Sequence, residues 1–145
     1  MVNSCIEQPA NLRMKVMQAE QEMLTLPQIE MRVEHYFTKG ICARELYIPK
    51  GTLLTGAIHK FENMNMLSKG DISVLTEDGV KRITAPATII SPAGTKRIAY
   101  AHEDCIWTTL FATDETDIDK IVAHFTTNSE TDYLAFRHQH LIEGE

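Results

Sequence analysis

Turn punctuation constrains this chain more than any other feature. Between residues 28 and 112, glycine or proline interrupts the sequence every eight to twelve residues or so, and the runs between are β-branched and alternating. Runs at 31–37, 41–48, 52–59, 63–67, 71–76, 80–84, 88–91, 96–101 and 104–112 read as nine short strands. Met31, Val33, His35 and Phe37 share one face of the first. Lys39-Gly40, Pro49-Lys50-Gly51, Lys69-Gly70 and Pro92-Ala93-Gly94 supply turns, and Glu77-Asp78-Gly79 is a strong hairpin signal. Short strands with tight turns predict a mainly β fold, an antiparallel sandwich or barrel.

The flanks read differently. Residues 1–8 form a loose terminus, and Pro9 opens an amphipathic helix over 9–24 with Leu12, Val16, Ala19 and Met23 at helical spacing. That helix lies on the body of the protein or on a neighbouring subunit. After residue 112, Thr113 or Asp114 can cap a helix whose Ile118, Ile121, Val122 and Phe125 form an apolar face. The tail from Asn128 packs as a short helix through Tyr133, Leu134, Phe136 and Leu141. The organisation expected is a helix at 1–27, a barrel at 28–112 and a helical segment at 113–145, in one domain.

Composition narrows the partners. No unbroken apolar run exceeds four residues (Ile98–Ala101), so no transmembrane helix is expected, nor is a secretory signal. The net charge of -6 argues against general nucleic-acid binding. The charge is uneven: residues 39–97 hold nine Lys/Arg against five Asp/Glu, a local excess of four positive charges. The middle of the chain is therefore suited to an anion. Cys5, Cys42 and Cys105 show no paired spacing, which fits a reducing cytoplasm, with Cys42 and Cys105 as small buried hydrophobes.

Residues 51–101 resemble the two motifs of the cupin superfamily. Gly51 is followed by five residues, Ala57-Ile58-His59, three residues, Asn63, six residues and Gly70. Pro86 stands where the second motif opens, followed by five residues, Pro92-Ala93-Gly94, two residues, Arg97, three residues and Ala101. The run from the Gly51 turn to Gly94-Thr95-Lys96-Arg97 and Trp107 is also similar to small cupin-like proteins of phage and prophage genomes. The resemblance implies a small double-stranded β-helix, or jelly roll, for residues 28–112. It also implies ligand positions at Ala57, His59, Asn63 and Arg97. A cupin metal site needs imidazoles and a carboxylate, and of these four only His59 qualifies; Arg97 carries a fixed positive charge. No resident metal is expected, with one divalent transition metal held by His35, His59 and His102 as the alternative. The His138-x-His140 pair is read as tail composition, because two-residue spacing on a helix points the rings apart.

Strand alternation aims His59, Asn63 and Arg97 into the barrel, a donor set suited to a carboxylate or phosphate. Asn65 and Thr55 share their faces and can add hydrogen bonds, and Lys96 is a further candidate contact. Tyr100 and Trp107 are candidates for stacking on a planar ring. A second reading packs Trp107 in the core, leaves Lys96 solvated and pairs Arg97 internally with Glu62 or Glu103. Three functions follow. The first is a binding protein, cytoplasmic in an infected or lysogenic cell, that holds a small anionic, nucleotide-derived host signal without catalysis. The second is a metal-dependent isomerase, lyase or dioxygenase. The third is an assembly protein whose barrel serves homo-oligomerisation.

Overall fold

A computed structural model describes residues 8–142. It contains helix α1 (Ala10–Met23), then β1 (Val33–Thr38), β2 (Ile41–Ile48), β3 (Leu53–Thr55), β4 (Ile58–His59), β5 (Asn63–Lys69), β6 (Asp71–Thr76), β7 (Gly79–Thr84), β8 (Ala87–Ser91), β9 (Ile98–Ala101) and β10 (Cys105–Ala112). Helix α2 (Ile118–Phe125), the short β11 (Thr126–Thr127) and helix α3 (Glu130–Ile142) close the chain. The expected strand at 52–59 is split in two at Gly56-Ala57; beyond it His59 bridges to Thr95 on one side and β4 pairs with β11 on the other.

Among the described residues every strand ladder is antiparallel, and four of them are nested: β2 with β10, β3 with β9, β5 with β8, β6 with β7. This long folded hairpin is then rolled, so that β10 also pairs with β5 and β9 with β6. That strand order is a jelly roll. Two sheets result, β1-β2-β10-β5-β8 and β3-β9-β6-β7. Alternation sends Leu46, Ile48 and Leu67 from the first sheet inward against Ile72, Val74, Ala99 and Ala101 from the second. Cys42 and Cys105 are both buried, as expected, and Cys5 lies outside the described residues.

The helices are bolted to the sandwich by buried polar groups. Gln8 is not loose: its side-chain amide accepts from Lys96 N at 2.9 Å and donates to Lys96 O at 3.1 Å, as a neighbouring strand would. Arg13, on the buried face of α1, forms a two-point ion pair with Glu130 of α3 at 2.7 and 2.8 Å. The α1 helix thus packs on its own chain. The cap of α2 is Asp117, whose carboxylate accepts from Asp119 N and Lys120 N. Thr113 and Asp114 do not cap; Asp114 accepts from Gly40 N across the chain.

Gly70 sits at φ +103°, and a Cβ there would lie 2.5 Å from Asp104 O and from Cys105 Sγ. Left-handed strain and overpacking add, so Gly70→Ala should cost about 3 kcal/mol or more in a urea titration. A loss under 1 kcal/mol would show that this corner is loosely held.

Candidate functional site

The mixed polarity of inward-facing positions on several strands creates a partly open recess between the sheets. In β2 the inward positions read Cys42, Arg44, Leu46 and Ile48, placing a guanidinium among apolar neighbours. In β5 they read Asn63, Asn65 and Leu67, and β10 contributes Trp107 and Thr109. Ser91 ends β8, and Arg97 enters beside β9. The recess has a volume of about 110 Å³ and includes His59, with Leu46, Ile72, Val74 and Ala99 as its apolar wall.

Asn65 is the hub. Its Nδ2 donates to Asn63 Oδ1 at 2.8 Å and to Ser91 Oγ at 3.0 Å. Its Oδ1 accepts from Thr109 Oγ1 at 2.7 Å and Trp107 Nε1 at 3.2 Å. All four amide valences are thereby used, so Asn65 positions its neighbours and has none left for a guest. Ser91 Oγ in turn accepts from Arg97 Nη2 at 2.7 Å, which fixes the direction of that guanidinium.

The two arginines are the electrostatic feature of the recess. Among the described residues, neither Arg44 nor Arg97 has a carboxylate partner, and Arg44 has no hydrogen-bond partner. Glu103 pairs instead with Lys50 at 3.8 Å, so the expected internal pairing of Arg97 with Glu103 or Glu62 does not form. Burial lowers the pKa of both guanidinium groups; Glu77 partly offsets this at Arg97. The His59 imidazole is pushed down from 6.5 to about 4, chiefly by burial and then by Arg44 and Arg97. It is therefore neutral at pH 7.

This predicts a specific pH dependence. Because the folded pKa of His59 lies below its unfolded value, the unfolded chain binds the proton first. Stability then falls as pH drops from 6.5 to about 4, by at most about 3 kcal/mol. His59→Gln should flatten that part of the stability profile. An imidazole titrating above pH 6 by NMR would contradict the assignment.

The structure brings His59, Asn63, Asn65, Arg97 and Trp107 together on one recess. Trp107 is half-buried, packs on the core and also donates into the hydrogen-bond network. Three expected contacts lie elsewhere. Lys96 is fully buried and pairs with Glu20 of α1 at 3.1 Å and Gly56 O at 2.7 Å, so it is neither solvated nor in the recess. Tyr100 points outward and is 42% exposed, because it alternates with the inward Ala99 and Ala101. Thr55, from the same expected set, donates to Glu20. Motif reading misses Arg44; its signal is a lone cation on the otherwise apolar inward face of β2.

His35, His59 and His102 do not converge. His102 lies on the second sheet's side, where its Nε2 contacts Ser73 Oγ at 2.6 Å. Among the described residues, no cluster of three or more His, Cys, Asp or Glu is placed to hold a metal ion. The donor chemistry agrees: one imidazole between two guanidinium groups does not fit a divalent cation.

No family model and no curated protein matches this chain. Solved structures do resemble it. Its solved neighbours include cupin domains. KdgF from Halomonas sp. matches with a TM-score of 0.49 and 18% identity, over 59% of this chain and 84% of that one. An RmlC-like cupin from Shewanella frigidimarina gives 0.47 and 18%, over 59% and 84%. A cupin-2 domain protein from the same organism gives 0.46 and 13%, over 70% and 99%. With scores this low, the jelly-roll assignment stands on the nested strand order itself, and no chemistry is carried across from the cupin neighbours.

Proposed function

We propose that this protein binds a small anionic molecule between Arg44 and Arg97 and holds it without turning it over. The observation that carries this reading is the pair of half-buried guanidinium groups with no carboxylate partner among the described residues. Uncompensated buried charge is costly, and an anion removes that cost. Charge-assisted hydrogen bonds from Arg suit a carboxylate or phosphate, with the neutral His59 and Asn63 alongside. The net charge of -6 does not forbid this. Exposed acids beyond about 10 Å are screened by physiological salt, whereas the arginines act at contact distance in a poorly solvated recess. A recess of about 110 Å³ has room for a carboxylate or phosphate head. Sequestration of a signal, the role that the likeness to phage cupin-like proteins implies, is compatible with such a site. Titration calorimetry with acetate, inorganic phosphate and AMP against wild type and Arg97→Met tests the reading. Loss of heat in the variant supports it, and equal affinity in both removes Arg97 from the site.

Assembly into a homodimer is a second reading, favoured by one row of residues. Tyr36, Ala43, Leu110, Met64 and Ile90 are register partners across all five strands of the larger sheet, on its outer face. Tyr36 is 54% and Ile90 53% exposed. A second copy related by a two-fold axis along β10 would set Tyr36 against Ile90 and Ala43 against Met64. The flanking Glu34 and Glu45 would then face Thr88 and Met66, with no like charges opposed. Light scattering should give twice the 16.4 kDa chain mass, and Leu110→Lys should return the monomer. A monomeric wild type at high micromolar concentration would dismiss this arrangement.

A further inference from the structure

The inner recess has a neighbour. A second recess of about 290 Å³ shares Arg44, Leu54, His59 and Thr109 with it, so the two lie side by side with Arg44 facing both. The outer recess opens toward α2 and has a different character. Its wall is made by Met31, Phe111, Ile118, Ile121 and Val122, with polar groups such as His35, Thr55 and Thr126 also present. Two of those apolar side chains remain well exposed, Ile118 at 40% and Val122 at 49%. Asp117 fixes the start of α2, and β11 ties its end to His59 of β4, so this wall is held in place. An apolar trough that begins at an unpaired guanidinium is shaped for a molecule with one charged end.

Resting on the anion-binding reading above, we propose that the ligand is an amphipathic anion: a carboxylate or phosphate monoester whose apolar chain lies in the trough under α2. The outer recess, about 290 Å³ in volume, has room for a short alkyl chain. The head is held by Arg44 and Arg97, and the chain is held by the exclusion of water from Phe111, Ile118 and Val122. Selectivity among small anions then comes from the chain, since the head is common to all of them.

The test is a homologous series of acetate, butyrate, hexanoate and octanoate, with inorganic phosphate, AMP and hexanol beside it, measured by calorimetry or chemical-shift titration. Affinity should rise about threefold to fourfold for each added methylene as far as octanoate. Val122→Asn, an uncharged polar replacement at a half-exposed helix position, should lower octanoate affinity about tenfold and lower that of acetate, which has no chain to reach this wall, far less. Arg97→Met should weaken every acid, and hexanol should bind no better to wild type than to that variant. Acetate binding with no gain along the series overturns this proposal and leaves the anion site standing. AMP binding more tightly than octanoate overturns it in favour of a nucleotide in the trough. If neither acetate nor phosphate binds, the anion site itself falls, and this proposal with it.

Discussion

Arg97→Met is expected to remove anion binding and, in the same protein, to raise its stability. Arg97 gives one hydrogen bond to Ser91 Oγ and forms no salt bridge among the described residues, Glu77 acting on it only at longer range. Its burial is a cost to the empty fold, and burial already lowers its pKa. Replacing a buried charge with an apolar side chain of similar reach is neutral or stabilising, by about 1–3 kcal/mol. Removing one member of a buried charge-assisted contact costs binding about 2–4 kcal/mol, a loss of roughly 30- to 1,000-fold in affinity. Arg44→Met should behave alike, and the double variant should be the most stable and the least able to bind. Opposite signs for stability and affinity mark a residue kept for its ligand. A loss of several kcal/mol on Arg97→Met would mean that the guanidinium holds the fold together.

Arg13→Ala should be the most damaging substitution away from the recess. The Arg13 side chain is 3% exposed and that of Glu130 19%. Arg13 Nη1 also donates to Gln8 O at 3.0 Å and Gly94 O at 3.2 Å, and the guanidinium lies 4.7 Å from the centre of the Tyr133 ring. Truncation therefore strands a carboxylate and two carbonyl groups while opening a gap between α1, α3 and the Pro92–Gly94 turn. Breaking a buried pair from one side costs about 3–5 kcal/mol. The double variant Arg13→Met, Glu130→Leu should recover part of that loss, because no charge is left unpartnered while the Gln8 and Gly94 carbonyls still lack their donor. Chemical denaturation of Arg13→Met, Glu130→Leu and the double variant completes the cycle. Additive losses would show that the pair does not couple the two helices.

Alternation made much of the recess legible. The spacing from Gly51 through His59 and Asn63 to Gly70, and from Gly94 to Arg97, reflects turns that fix strand phase, and phase decides which face a residue takes. The same logic excludes Tyr100, since a strand that turns Arg97, Ala99 and Ala101 inward must turn Tyr100 outward. Arg44 was equally legible from the Cys42-Arg44-Leu46-Ile48 parity, but no motif drew attention to it. Lys96 and Arg13 were not legible. Their partners Glu20 and Glu130 lie 76 and 117 residues away, and only the docking of α1 against the sandwich brings them together. The row from Tyr36 to Ile90 was hidden for the same reason, because it depends on the register of five strands. The cap of α2 shows a subtler limit. Thr113, Asp114 and Asp117 all have capping chemistry, and Asp114 is drawn off by Gly40 N across the chain.

Crystals grown with selenate, a tetrahedral anion with a strong anomalous signal, offer the most direct measurement. The account predicts an anomalous peak inside the jelly roll, contacted by the guanidinium groups of Arg44 and Arg97 beside His59 and Asn63. Peaks confined to the protein surface, or a carboxylate of the chain itself seated on those two arginines, would contradict it.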